Sequence, residues 1–360
     1  MNRRTLLIGA GTLIAAGTGV AAWRGATGSM ADYEAYSARL RAALTPDIAD
    51  VIRYATLAPN SHNTQPWRFR VTSDAIEVLP DFARRTPVVD PDDHHVFVSL
   101  GCAAANLAIA ASASGRPGEL VLTADGAEVR YTFTTNQPRT EPLLEAITKR
   151  QSTRAEYDGR AISTADVTRL QTAGAAPGVN LVIVTARAEM ATIGELVVAG
   201  NSAQMADPAF MRELKQWVRF NPRSAMETGD GLFSAASGNP SLPTALGRIA
   251  FDYVVSAGSE NDKYARQIAS SAGIAVFVGD QADPLHWIKV GQACQRFALE
   301  ATRLGLKLAF INQPVEIADL RPELARLIGT TKRPDLVLRF GYGPTLPYAP
   351  RRPVAEVLGS

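Results

Sequence analysis

Two stretches far apart in this chain repeat one another, and that repeat restricts what the chain can fold into. Gly101-Cys102-Ala103-Ala104-Ala105-Asn106-Leu107-Ala108-Ile109-Ala110 lines up with Gly291-Gln292-Ala293-Cys294-Gln295-Arg296-Phe297-Ala298-Leu299-Glu300, and Gly115 and Gly305 close the two runs. Ahead of them, Ala49-Asp50-Val51-Ile52-Arg53-Tyr54 is echoed by Ala165-Asp166-Val167-Thr168-Arg169-Leu170. A strand-like run follows each echo. Trp67-Arg68-Phe69-Arg70-Val71 alternates apolar and polar residues, the period of a half-buried strand, and Asn180-Leu181-Val182-Ile183-Val184 takes the same place later. Matching elements in the same order read as a duplicated domain. With 360 residues, 46% of them hydrophobic, the chain can bury a large core or two smaller ones.

The halves are unequal. The polar loop Asn60-Ser61-His62-Asn63-Thr64-Gln65, just before Pro66 and Trp67, has no counterpart after Pro177. Lys149-Arg150-Gln151-Ser152-Thr153-Arg154 opens the second half and has no equivalent before Asp50. Each half therefore keeps a different polar element, which suits one composite site between them. The second half also carries extra material at 205–262. Within it, the run from Phe210 to Phe220 is helix-like, and 221–243, rich in Gly, Ser and Pro, reads as irregular. A long loop of this kind is either a lid or a solvated insertion.

The first residues read as targeting rather than fold. Arg3-Arg4 precedes an uncharged run through Ala22, a basic region followed by an apolar one, and the arginine pair looks like a twin-arginine signal. Gly9-Ala10-Gly11 lacks the preceding strand that a dinucleotide fingerprint needs. The expectation is export, to a periplasmic or membrane-anchored location, with an uncleaved anchor left open. Residues 25–29 read as a linker.

Several chemistries are excluded. There is no G-x-S-x-G elbow, H-E-x-x-H, C-x-x-C or P-loop. Four histidines, none at helical metal spacing, argue against a metal, and His94-His95 reads as part of a polar turn after Asp92-Asp93. A net charge of +2 gives no basic face for nucleic acid. Cys102 and Cys294 read as buried free thiols. Three polar groups remain. Arg150, Ser152 and Arg154, at alternate positions of an extended segment, match an anion such as phosphate. The 60–65 loop offers donors and acceptors for the edge of a heterocycle, or an Asx-type turn ending a helix. Arg351 and Arg352, between Pro350 and Pro353, add two cations on an extended tail.

Together these segments resemble the FMN-dependent nitroreductase family. Ala58-Pro59-Asn60-Ser61-His62-Asn63-Thr64-Gln65-Pro66-Trp67 resembles its A-P-S-x-x-N-x-Q-P-W loop, and Arg150-Gln151-Ser152-Thr153-Arg154 its R-x-S-x-R/K motif. Pro350-Arg351-Arg352-Pro353 looks like its C-terminal end. Segments 283–292 and 313–316 are similar to the two-domain, Acg-type branch, and the resemblance runs over about residues 45–358.

The resemblance implies a nitroreductase-like α+β fold: two tandem related halves, 30–148 and 149–360, forming a fused pseudo-dimer, monomeric, with one surviving FMN site. It implies that Asn60, Ser61, Asn63 and Gln65 contact flavin, and that Arg150 and Ser152 hold its phosphate with Arg351 and Arg352. It places Arg154 near the pyrimidine end and Asn312 and Gln313 near the N5 edge, with Lys263 and Gln267 in the region of another contact. The implied reaction is NAD(P)H oxidation with transfer to a nitroaromatic, quinone or similar small aromatic acceptor, ping-pong, with the chemistry carried by FMN. The alternatives are a flavin-sequestering protein closed by its lid and a non-enzymatic exported binder of a planar anion.

Overall fold

The computed structural model describes residues 23–123 and 128–359, so the expected signal at 1–22 lies outside the described residues. The first half runs through α1 (Met30–Leu40), α2 (Ile48–Thr56), β1 (Trp67–Val71), β2 (Ala75–Pro80), α3 (His94–Ala113), β3 (Gly118–Leu122), β4 (Val129–Phe133) and α4 (Leu144–Lys149). The second runs through α5 (Thr164–Ala173), β5 (Val179–Val184) and α6 (Arg187–Ala206). An insertion follows with α7 (Pro208–Trp217), β6 (Val218–Arg219), α8 (Pro222–Thr228), β7 (Leu232–Phe233), α9 (Thr244–Val254) and α10 (Ala257–Ala269). The half is completed by β8 (Gly273–Gly279), α11 (Pro284–Arg303), β9 (Lys307–Phe310), α12 (Gln313–Glu316), α13 (Arg321–Leu327), β10 (Leu336–Gly341) and α14 (Val354–Val357).

The duplication is written in the sheets. One has the order β1-β2-β4-β3 and the other β5-β8-β10-β9, so each half places its first, second, fourth and third strands side by side. All pairings in both sheets are antiparallel. In β1 the alternation holds: Trp67 and Phe69 are buried, while Arg68 and Arg70 face out. Strands β8 and β10 are buried along their whole length, because helices cover both faces of the second sheet.

The core is the crossing of α3 with α11. Among the described residues, α3 is the one helix long and apolar enough to span a membrane, and here it is interior. The repeated glycines explain the close approach. A methyl group on Gly101 would lie 2.0 Å from the Ile288 carbonyl oxygen, and one on Gly291 would lie 2.1 Å from that of Val98. Cys102 Sγ donates to the Gly291 carbonyl at 3.2 Å, and Gln295 Nε2 donates to Asn106 Oδ1 at 2.6 Å across the same seam. Both cysteines are free and buried. Contact with Cys102, together with burial, holds the Cys294 thiol well above its ordinary range.

Three readings are corrected. Residues 23–27 are helical rather than linker, with Thr27 Oγ1 donating to the Trp23 carbonyl at 2.9 Å. The 221–243 segment is largely ordered: Asn221 caps α8 by accepting from Ser224 N at 2.8 Å, and β7 pairs in parallel with β6. His94 and His95 open α3 and are buried, because Asp90 caps that helix, accepting from the His95 and Val96 amides.

Candidate functional site

The 60–65 loop leaves α2 in a conformation that side chains resist. His62, Asn63 and Gln65 have φ of 46°, 53° and 54°, the left-handed region, which costs roughly 1–3 kcal/mol per residue. Surrounding bonds hold it there. Asn60 Oδ1 accepts from Gln65 N at 2.7 Å. Asn63 Nδ2 donates to the carbonyls of Gly231 and Pro350, each at 3.0 Å. Gln65 Nε2 donates to the Gly229 carbonyl at 2.8 Å, and its Oε1 accepts from Arg352 N at 2.9 Å. Asn63 and Gln65 thus tie the loop to the insertion and to the C-terminal segment. Asn60, Ser61 and His62 are left to line a cavity.

The arginines divide in the same way. Arg351 is buried against the C-terminal end of α2, donating to the carbonyls of Thr56, Leu57 and Ala58 and, at 2.7 Å, to Asn63 Oδ1. A cation there complements the helix dipole. Burial, followed by the charges of Arg150 and Arg41, pulls its pKa down to about 9. Arg352 is buried beside Asp81 and donates to the Glu356 carbonyl at 2.8 Å. The extended tail that carries these two cations is therefore an internal strut.

Arg150 lies under the Cys102 side of the cavity and does not line it. It donates through Nη2 to the Leu57 carbonyl at 3.1 Å, while its buried Nε and Nη1 have no partner. Burial lowers its pKa to about 10. A buried cation with unused donors fits an anionic group arriving beside it. Beyond it the chain is extended. Thr153 N donates to the Leu308 carbonyl at 2.8 Å, and the fully buried Arg339 donates to the carbonyls of Thr153 and Ala155. Ser152 and Arg154 line the cavity, and among the described residues no hydrogen bond or ion pair engages the Arg154 guanidinium.

The cavity measures about 690 Å³ and lies between the halves. The first half contributes the 59–62 loop and, from α3, His95, Val98 and Cys102. The second contributes Ser152, Arg154, Phe310, Asn312 and Gln313, with Lys263 and Gln267 from α10. Asn312 Oδ1 turns toward β10, accepting from Val337 N at 2.9 Å. The insertion closes one wall with Phe210, Phe220, Phe233 and Phe251. A volume of this size, largely apolar with a few convergent polar groups, suits a cofactor-sized ligand.

Sequence reasoning missed the titratable groups. His62, His95 and Glu316 come from three distant segments and all face the cavity. His95 Nε2 is 3.4 Å from Glu316 Oε1, and Gln204 Nε2 donates to Glu316 Oε2 at 2.6 Å. Burial works against charge on His95, yet Asp90 and Glu316 outweigh it and hold its pKa above the ordinary range. Burial likewise opposes ionisation of Glu316, and the His95 and Gln204 hydrogen bonds hold it below. Burial pulls His62 down to about 4, Glu316 opposing and Arg154 and His95 assisting. Asp90, His94 and His95 gather within 4.8 Å, a set that the spacing did not suggest. Asp90 caps α3 and His95 faces Glu316, while His94 Nε2 lies 3.2 Å from Asp335 Oδ1 and neither of those two atoms has a hydrogen-bond partner among the described residues.

No protein-family model matches the chain. It is 27% identical over 324 residues to Rv3131 of Mycobacterium tuberculosis, which carries the name NAD(P)H nitroreductase, covering 86% of this chain and 90% of that protein. It is 22% identical over 333 residues to acg of the same organism, which carries the same name, covering 87% of this chain and 95% of that protein. Among solved structures, a nitroreductase with bound FMN from Bacteroides fragilis is 18% identical, with a TM-score of 0.36, covering 57% of this chain and 90% of its own. The FMN-dependent nitroreductase NfnB from Mycobacterium smegmatis, in complex with NADPH, is 13% identical, with a TM-score of 0.37, covering 55% and 86%.

Proposed function

We propose that this chain, similar along most of its length to two mycobacterial proteins named NAD(P)H nitroreductase, is an FMN-dependent NAD(P)H oxidoreductase. The observation that carries the reading is the 690 Å³ cavity between the halves, where the 59–62 loop of one half meets Ser152, Arg154 and Gln313 of the other. When bound, FMN supplies hydride transfer from NAD(P)H to a nitroaromatic, quinone or similar acceptor, in ping-pong order.

The chain's own part is binding, orientation and exclusion of water. Ser152, on the cavity wall, would hold the phosphate, and Arg150, buried behind that wall with two unused donors, would supply the positive charge beside it. Arg351 and Arg352 support that end through the backbone they brace rather than by presenting free donors. Asn60 and Ser61, which line the cavity, would meet the heterocycle, Arg154 would supply positive charge near it, and Asn312 and Gln313 would complete its surroundings from the second half. Asn63 and Gln65 keep the strained loop in place. The insertion's phenylalanines give the cavity an apolar wall, which limits water beside a bound ring.

That same wall favours a second reading, a flavin-sequestering protein in which the insertion bars nicotinamide. Deleting 221–243 separates the two, because turnover that appears only on deletion marks sequestration. Location in an exported compartment remains part of the proposal, resting on Arg3-Arg4 and the uncharged run after them. The site assignment is tested by flavin content. Arg150→Ala combined with Arg154→Ala is expected to purify without the yellow flavin that the parent carries, and full occupancy in the double variant overturns the assignment.

A further inference from the structure

Helix α9 is apolar on both sides. Gly247, Ala250 and Phe251 turn inward and line the cavity. The opposite face carries Ala245, Leu246, Ile249 and Tyr253, spaced to lie together on one side of a helix. This face is open: Leu246 is 50% exposed, Ile249 56%, Tyr253 86% and the flanking Val254 71%. The helix's two charges, Arg248 and Asp252, are exposed and border this face along one edge, and Asp252 is paired with Lys215 Nζ at 2.6 Å. Soluble helices keep a polar outer face, so an outer face of this kind needs something to cover it.

The structure indicates what does. The chain enters the described fold at Trp23, an exposed aromatic at the end of the uncharged run that closes at Ala22. That entry point is tied to the same corner of the molecule. Arg223 Nη1 donates to the Gly25 carbonyl at 2.6 Å. Two residues earlier, Asn221 Nδ2 donates to the Leu242 carbonyl at 2.9 Å and to Thr244 Oγ1, at the first residue of α9, at 3.1 Å. Residues 6–22 contain no charged side chain, so as a cover for α9 they would offer water little but apolar surface of their own. One face of an 11-residue helix also falls short of the roughly 800 Å² per partner that a stable dimer buries. An apolar helix face that carries an exposed Tyr253 and is bordered by charge suits the interface of a lipid bilayer.

We infer that the outer face of α9 docks on a lipid bilayer and sets the mouth of the cavity against it. Val254, Asn239 and Pro240 both line the cavity and reach solvent, so they mark that mouth. A ligand entering there comes from the lipid phase, which selects for lipid-soluble molecules.

The test is site-directed fluorescence on the full chain. An environment-sensitive dye is attached to Ile249→Cys, to Asn239→Cys, and to Val121→Cys on the edge strand of the first sheet. Both native cysteines are buried, which directs the dye to the introduced thiol. Vesicles of phosphatidylcholine and phosphatidylglycerol are then added. The expected result is a blue shift at 249 and 239, none at 121, and loss of the shift at 249 when Leu246→Glu and Tyr253→Glu are added. Far-ultraviolet circular dichroism checks that this variant is folded. The single-label arms stand whether or not it folds. A dye at 249 that is already blue-shifted without vesicles means the chain or a second copy covers the face, and overturns the inference. So does a dye that stays in water while the protein floats with the vesicles, or a shift of equal size at 121. A shift at 249 without one at 239 removes the placement of the mouth. None of these readings needs flavin, so docking by a colourless protein would leave this inference standing and remove the proposed function.

Discussion

Replacing Gly101 or Gly291 with Ala should damage the molecule far more than a glycine-to-alanine change in a helix normally does. In a helix interior the exchange is worth up to about 1 kcal/mol in favour of Ala. Here the new methyl group would sit 2.0 Å from the Ile288 carbonyl oxygen, or 2.1 Å from that of Val98, where ordinary contact begins near 3.4 Å. The opposing atoms are helix backbone, so they cannot turn aside, and the crossing must open by over 1 Å. Overpacking of this kind costs about 1–3 kcal/mol, and more where backbone must move. Gly194 in α6 is the control, because a methyl group there meets Ile268 Cγ2 at an ordinary 3.4 Å. We expect each crossing variant to be about 2–3 kcal/mol less stable than Gly194→Ala in chemical denaturation. Because both substitutions open one seam, the double variant should cost less than the sum. The cavity should register the change too, since α3 carries His95, Val98 and Cys102 along its wall. Crossing variants as stable as the control would refute the account of how the halves meet.

Asn63→Ala removes two donated hydrogen bonds and the acceptor of Arg351, leaving buried groups unpaired. A loss of about 3 kcal/mol is expected, with the C-terminal segment cut early in limited proteolysis. His62, held near a pKa of about 4, stays neutral in the fold while the unfolded chain takes up a proton below about 6.5. Stability should therefore fall as pH drops from 6.5 to 4, and less steeply in His62→Asn, as read by melting temperature against pH; identical slopes would contradict the placement of His62. Glu316→Gln removes the carboxylate beside His95, so the His95 pKa should move down, followed by its ring proton resonances in an NMR titration.

Much of the scaffold was legible because short-range pattern dictates it. The alternation of Trp67-Arg68-Phe69-Arg70-Val71 gave β1 to its ends, and the repeated small-residue runs marked the C-terminal parts of α3 and α11, while the fold alone shows that their glycines meet at the crossing. The cavity-facing Ser152 and Arg154 could be suspected from alternation in an extended segment, yet Arg150, whose Nε and Nη1 are buried without partners, departs from it because it sits at the C-terminal end of α4. What stayed hidden depends on distant partners. Arg351 looks like a solvated tail until α2 supplies the carbonyls it caps. His94 and His95 look like a polar turn because two aspartates precede them, and only the fold shows Asp90 capping a buried helix there. His62, His95 and Glu316 meet from the first half, α3 and α12, a set that no spacing in the sequence announces.

The most direct test of the central claim is an anaerobic absorbance titration of the purified full chain with NADPH. The account predicts a yellow protein with bound FMN that bleaches on adding NADPH and regains its colour with a nitroaromatic or quinone. A colourless protein that takes up no added FMN, or a bound flavin that dithionite bleaches and NADPH does not, would contradict it.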